Sequence, residues 1–307
     1  MPIFLDCDPG IDDAFAIMVL LGIKRLTLLG ISTVGGNVPL ELTSLNARRV
    51  LELCGRGEIP VAGGRPGPLQ KTLVSAEEVH GRDGLGNIGL PEPAAPEAKG
   101  GGISLLVDKI LSVPRAILLA TAPLTNVAVA LAEHPEIRSH IQRIVWMGGS
   151  TSFGNVTPAA EYNAWADPEA ARQVIRSGVP FAMVGLNVTH QVALDRATLA
   201  HYRALGNRVA ATAAQMLDFY VTFHEQVAGT DRSPIHDAVA AVAAVYPASL
   251  RTAACAVDVE TTGELTEGAT VVDLRGLVAP ERPIEVGMDV DAEFHLEVMR
   301  DALASFA

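Results

Sequence analysis

No stretch of this sequence holds the ~20 consecutive apolar residues that a membrane-spanning helix needs, so no span is expected. Cysteine is scarce. Cys7, Cys54 and Cys255 are scattered, without the paired spacing of a zinc site, and suit a reducing compartment. Cys7 stands between two aspartates that would raise its pKa, so it reads as packing and not as a nucleophile. Positive charge is short: 23 Lys and Arg against 35 Asp and Glu leave a net charge of -12. That excludes the basic stripe expected of a nucleic-acid binder. Met1-Pro2 runs straight into an apolar strand, leaving no room for a basic n-region and a signal h-region. The expectation is a cytoplasmic protein without membrane or nucleic-acid partners.

What is present is a chain of 307 residues, 49% hydrophobic and 19% charged, of a size to bury one large core. Strand and helix patterns alternate through its first two thirds. Strands are expected at 3–5, 26–34, 60–62, 116–120 (AILLA), 143–147 and 181–186. Helices are expected at 12–21, 40–54, 103–111 and 125–133, with another from Pro168, N-capped by Asp167. Residues 63–98 are rich in Gly and Pro and read as one long loop region. The last third differs: a long helix at 208–226, an Ala/Val helix at 237–246, strands at 253–260, 270–274 and 284–289, and a closing helix at 292–305. Those late strands read as an antiparallel excursion. No linker or repeat appears. The pattern predicts an α/β fold, a doubly wound, mainly parallel sheet flanked by helices, in a single domain spanning 1–307.

The chain is organised around FLDCDPGIDDAFAIMVLL, residues 4–21. Asp6, Asp8, Asp12 and Asp13 fall within eight residues between the first strand and the first helix. Asp6 and Asp8, two apart, project to one face of an extended strand end. Asp12 and Asp13 open a helix, where the dipole favours anions. Four like charges still repel, and burying them unpaired is costly. A hard cation on oxygen ligands, Ca²⁺ or Mg²⁺, is the simplest compensation. The plainer reading is a solvated acidic turn.

In a doubly wound sheet, ligands bind beyond the carboxyl ends of the strands. The polar residues at those ends are the four aspartates, then Asn37, Thr121, the stretch from Met147 to Asn163, and Asn187 with His190. Carboxylates and amides dominate. They suit a cation and a polyhydroxylated molecule, and the basic residues expected around phosphate are absent. Asn37 and Asn155 follow glycines and could serve turn geometry alone. Glu161 and Asn163, two apart, would point the same way on an extended segment and fit two hydroxyls of one sugar. In SPIHDAVAAVAAVY, Asp237 could be a helix cap and His236 a surface histidine. Alternatively they form a metal ligand beside an imidazole able to release a proton near neutral pH.

These residues together resemble the inosine-uridine preferring nucleoside hydrolase family. The likeness runs from DCDPGIDDA at the start to HDAVAA near residue 240, with VHGRDGLGN, ATAPLTN and GNVTPAAEYNAWADPEAA in order between. It implies a Rossmann-like fold and hydrolysis of the N-glycosidic bond of ribonucleosides, purine or pyrimidine, in nucleoside salvage. The implied Ca²⁺ ligands are Asp8, Asp13, Asp237 and the backbone carbonyl of Thr121, with Asp8 as general base and His236 as leaving-group acid. Asp12, Asn37, Asn155, Glu161 and Asn163 would bind ribose, with Met147 against the sugar. Asp6 would orient the ligands from behind. His80, Tyr162, Tyr220 and His224 would line the base pocket, and the imidazole at 224 departs from the family's usual tyrosine or glutamine. The resemblance also implies a homo-oligomer, dimer or tetramer.

Two rivals use the same features. A haloacid-dehalogenase-like phosphohydrolase also opens on a strand and Asp-x-Asp, but none of Lys24, Lys71, Lys99 and Lys109 follows a strand, where phosphate would need one. A non-catalytic Ca²⁺-dependent nucleoside-binding protein would have no use for both Asp8 and His236.

Overall fold

A computed structural model describes residues 1–280 and 282–306. Its centre is a nine-stranded sheet in the order β10-β9-β11-β6-β5-β4-β1-β2-β3. The strands are β1 (Pro2–Cys7), β2 (Thr27–Thr33), β3 (Val61–Gly63), β4 (Ala116–Ala120), β5 (Ile141–Met147), β6 (Phe181–Val184), β9 (Leu250–Val259), β10 (Thr270–Asp273) and β11 (Ile284–Val290). A separate two-stranded ribbon pairs β7 (Ala193–Leu194) with β8 (Ser233–Pro234). From β3 through β1 to β6 and β11 every pairing is parallel. β9 runs antiparallel to β11, and β10 antiparallel to β9, as the late excursion predicted.

The helices are α1 (Ile11–Gly22), α2 (Leu40–Leu53), α3 (Glu77–His80), α4 (Gly102–Leu111), α5 (Thr125–Glu133), α6 (Tyr162–Ala166), α7 (Pro168–Ile175), α8 (Leu186–Thr189), α9 (Arg196–Ala204), α10 (Arg208–Ala228), α11 (Asp237–Val245) and α12 (Ala292–Ala304). Alternation along the central strands divides them into two layers. In β1, Ile3 and Leu5 join the core of α1, α2, α10, α11 and α12, whereas Phe4 joins the core of α4, α5 and α7. β4 does the same with Ile117 and Leu119 against Leu118. Both faces are therefore covered, which is why these strands read as unbroken apolar runs. Each fully buried side chain of this size contributes ~1.5–3 kcal/mol.

The central pair of helices fixes the site. All nine residues of α11 are buried, and they are Ala and Val apart from Asp237. Such small side chains let α11 lie close against α1, itself buried at every position but Leu21. The N-termini of both helices reach the crevice where strand order reverses on either side of β1, between β1 and β4. Ligands bind at this kind of switch point.

The structure departs from the sequence pattern at three places. Residues 63–98 contain one helical turn, α3, ended by Gly81 at φ +81°. The strand expected to reach Leu186 stops at Val184, because Gly185 turns the chain into α8. Glu161 and Asn163 do not share an extended segment: Glu161 is the N-cap of α6, its carboxylate accepting from Asn163 N and Ala164 N, and Asn163 lies within the helix. α9 and the β7–β8 ribbon had no expectation attached to them.

Candidate active site

The carboxyl ends of five parallel strands deliver the polar residues. β1 ends in Asp6-Cys7 and leads into Asp8; Asn37 follows β2, Thr121 follows β4, Met147 closes β5, and His190 follows α8 beyond β6. α10 adds Tyr220 and His224, and α11 begins at Asp237. All but four of the residues singled out from the sequence line one cavity of about 390 Å³. The four are Asn187 and the almost completely buried Asp8, Asp13 and Asp6.

The turn after β1 folds its carboxylates inward by hydrogen bonding. Asp13 stands three residues into α1, where Oδ2 accepts from Gly10 N at 3.2 Å and so caps the helix. The same Oδ2 accepts from Asn37 Nδ2 at 3.1 Å, and Oδ1 accepts from Thr121 Oγ1 at 2.7 Å. Asp8 Oδ2 accepts from Asn37 N at 2.8 Å. A side-chain carbon on Gly36 would overlap Asp8, and one on Gly10 would come 2.6 Å from His80 Nδ1, so both glycines are required by close approach. Carboxylate oxygens of Asp12, Asp13 and Asp237 come within 4.8 Å of one another. The plainer readings fail here: the aspartates are not solvated, and α11 is capped at His236, not Asp237.

Electrostatics sets the next requirement. Burial raises the Asp13 carboxyl to about 7, with repulsion from Asp12 adding to it. Burial and the neighbouring aspartates push Asp8 and Asp237 well above the ordinary carboxylate range. Asp8 Oδ1 and Asp12 Oδ1 are buried without a hydrogen-bond partner among the described residues. No described Lys or Arg lines the cavity to neutralise them. Converging all-oxygen donors with unpartnered lone pairs fit a hard divalent cation such as Ca²⁺. Asp12, not Asp8, completes the close triad with Asp13 and Asp237, while Asp8 keeps Oδ1 without a partner among the described residues. Thr121 O accepts from Asn163 Nδ2 at 3.2 Å, leaving its second lone pair available.

Asp6 is placed differently. Its Oδ1 accepts from Ser32 Oγ and, at 2.8 Å, from Asn126 Nδ2, while its backbone carbonyl accepts from Thr121 N at 2.9 Å. It braces β1 against β2 and α5, and its backbone carbonyl meets the ligand candidate Thr121.

One wall suits a sugar. Glu161 is buried and nearly saturated, Oε1 accepting from Asn163 N at 2.8 Å and Oε2 from Gly149 N at 2.8 Å and Ala164 N at 3.0 Å. Burial nonetheless lifts its carboxyl to about 7. Asn163 Nδ2 donates to Thr121 O and Met147 O, which leaves Oδ1 as its open group. Asn155 Oδ1 accepts from Tyr162 N at 2.9 Å, leaving its NH₂. Asn187 is not part of this wall. It accepts from Thr151 N and donates to Gly287 O, tying loop to strand.

The other wall gathers half of the chain's eight histidines: His80, His190, His224 and His236 all line the cavity. His80 Nδ1 accepts from Ile11 N at 3.1 Å, and its ring stacks on Tyr220 at 5.9 Å. Burial lowers the pKa of His80. His236 is lowered further, by burial first and then by the other three imidazoles. Its Nδ1 lies 2.7 Å from Thr189 Oγ1, a buried hydroxyl with no sequence signal beyond its place before His190. Tyr162 lines the cavity, and its Oη is spent on Val74 O at 2.9 Å. Trp165, Phe223 and Val74, which also line it, were not singled out, since apolar residues in such stretches look like ordinary packing.

Comparison with known proteins agrees with this geometry. Residues 3–297 match the family model described as inosine-uridine preferring nucleoside hydrolase. The chain is 40% identical over 309 residues to the pyrimidine-specific ribonucleoside hydrolase RihA of Enterobacter sp. (strain 638), covering 100% of this chain and 99% of the relative. It is 40% identical over 307 residues to the RihA of Shewanella sp. (strain ANA-3), covering 99% and 96%. Among solved structures, a purine-preferring ribonucleoside hydrolase from Gardnerella vaginalis aligns with a TM-score of 0.94 at 31% identity, covering 100% of this chain and 99% of the other. A plant nucleoside hydrolase, the PpNRh1 enzyme, aligns with a TM-score of 0.93 at 31% identity, covering 99% and 98%.

Proposed function

From the premise that the chain belongs to the inosine-uridine preferring nucleoside hydrolase family, and so is a ribonucleoside hydrolase, an N-glycosidase, we propose how its residues divide the work. Asp8, Asp13, Asp237 and the Thr121 carbonyl would hold one Ca²⁺. When bound, the ion supplies the charge that keeps these carboxylates ionised and lowers the pKa of water beside it. The observation that carries this reading is the buried carboxylate nest, with Asp8 Oδ1 and Asp12 Oδ1 unpartnered, under a cavity without described cationic side chains.

Asp12, Asn37, Asn155, Glu161 and Asn163 hold the ribose hydroxyls, and Met147 packs on the sugar. Asp8 Oδ1 takes a proton from the attacking water as its oxygen bonds to the anomeric carbon. The bond from that carbon to the base breaks, and its electron pair leaves with the base. His236 returns a proton to the departing nitrogen. The burial that disfavours its imidazolium makes that imidazolium a correspondingly strong acid. Positive charge developing on the sugar is stabilised by the surrounding carboxylates. Attack by water without a covalent intermediate inverts the anomeric carbon. His80, Tyr162, Tyr220 and His224 face the base.

Identity of 40% with pyrimidine-specific relatives supports pyrimidine ribonucleosides as substrates, with purines alongside. The chain acts as one domain, since its single nine-stranded sheet takes strands from both ends of the sequence. A homo-oligomer in the cytoplasm completes the reading; no helix among the described residues is long and apolar enough to cross a membrane.

The test is to incubate the protein with uridine, cytidine, inosine and p-nitrophenyl riboside, with EDTA or Ca²⁺, and measure reducing sugar. Ribose release that EDTA abolishes is expected. Phosphate from a generic phosphate ester, and no ribose, would identify a phosphohydrolase instead. Nucleoside binding without products would leave a binding protein.

A further inference from the structure

We propose that His224 reads the edge of the nucleobase as a hydrogen-bond acceptor through Nε2, so that the site selects bases presenting an N–H there; this rests on the ribonucleoside-hydrolase reading. His224 lies one turn beyond Tyr220 on α10, with Nδ1 3.0 Å from the Tyr220 carbonyl and 2.9 Å from Ser233 Oγ on β8. A carbonyl oxygen only accepts, so the proton is on Nδ1, and the Ser233 hydroxyl shares it. The neutral ring then carries its lone pair on Nε2, which has no partner among the described residues, in a side chain that lines the cavity.

His80 is held in the opposite tautomer. Ile11 donates its backbone N–H to His80 Nδ1 at 3.1 Å, so the lone pair is there and the proton is on Nε2. Between the two rings stands Tyr220, stacked on His80 at 5.9 Å and met edge-on by His224 at 4.6 Å. The base wall thus offers one fixed donor and one fixed acceptor on either side of an aromatic surface. Both tautomers are dictated by backbone groups of helices α1 and α10, so neither ring adapts without losing a hydrogen bond. A nucleobase edge with a carbonyl or ring-nitrogen acceptor for His80 and an N–H for His224 complements this wall. A methyl group in place of that N–H leaves Nε2 desolvated and unpaired.

The experiment compares kcat/KM for uridine against 3-methyluridine and for cytidine against N4,N4-dimethylcytidine. It uses the Ca²⁺-loaded protein at pH 8, the wild type, His224→Phe and His224→Gln. The expected wild-type preference for the unmethylated member is about 10- to 100-fold in at least one pair, the size of one lost buried hydrogen bond. His224→Phe should bring that ratio close to unity, and His224→Gln, whose amide oxygen also accepts, should retain most of it. Reading a ratio within each pair cancels any general loss of rate in a variant. Equal cleavage of both members of both pairs by the wild type, or an undiminished ratio in His224→Phe, would overturn the proposal. Absence of ribose from every substrate, p-nitrophenyl riboside included, would overturn the hydrolase reading and this proposal with it.

Discussion

Asn37 donates its backbone N–H to Asp8 Oδ2 at 2.8 Å, and this leaves Asp8 Oδ1 buried with no partner among the described residues. One oxygen of the carboxylate is thereby fixed and the other held open. Asp8→Asn preserves the shape and an oxygen for Asn37 to bond, and removes the charge. The expected result is a fall in kcat of about 10³-fold or more, since the proposed general base and the proposed cation ligand would be lost together. Calcium binding followed by calorimetry should weaken in the same variant. Unchanged affinity with lost turnover would separate the two roles and assign Asp8 to proton transfer alone.

His236 is predicted to matter in proportion to the leaving group. A nucleobase leaves as a poor anion and needs a proton, whereas p-nitrophenolate does not. His236→Ala should slow uridine by about 10²- to 10⁴-fold, the usual worth of a general acid, and p-nitrophenyl riboside far less. The check is the ratio of the two rates. If both substrates slow equally, His236 shapes the cavity and does not donate the proton.

The aspartate nest makes stability depend on pH when no cation is present. Asp13 titrates at about 7 in the folded protein, and Asp8 and Asp237 are raised well above the usual range. An unfolded chain titrates its aspartates at about 4. Below that value both states are protonated and the folded state loses nothing. As pH rises from there through the folded pKa of Asp13, the unfolded chain releases protons that the native state retains, and stability falls. The EDTA-treated protein should therefore have a lower Tm at pH 8 than at pH 5. Calcium should flatten or reverse that slope, because binding displaces the same protons. Scanning fluorimetry at pH 5, 6.5 and 8, with EDTA and with Ca²⁺, measures it. Parallel slopes in the two conditions would contradict a cation at these carboxylates.

The sheet was legible because its strands are buried on both faces: AILLA at 116–120 and the apolar run ending at Thr33 have few other uses. Asp167 announced itself as a cap, and its Oδ1 does accept from Ala170 N. The site was legible as a set of residues, because the parallel topology sends every strand end to one crevice. Its internal wiring was not. Glu161 and Asn163 were expected to share an extended segment, yet Glu161 caps α6 through Asn163 N and Ala164 N, and Asn163 lies within that helix. Asp6 was expected behind the metal ligands; which side chains hold it there, Ser32 and Asn126, 26 and 120 residues away, could not be read. Contacts at such separations leave no periodic trace in sequence. Thr189 is the same case: its bond to His236 spans 47 residues and depends on the short helix that Gly185 begins.

One divalent cation, proposed to sit among Asp8, Asp13, Asp237 and Thr121, is expected to be required for breaking the N-glycosidic bond. The direct measurement is to strip the protein with chelator, add Ca²⁺ in substoichiometric steps, and follow binding and ribose release from uridine in the same samples. Negligible release without the ion and a linear rise that saturates at one equivalent per chain are expected. Full activity in the stripped protein, or saturation of binding without any gain in ribose release, would contradict that requirement.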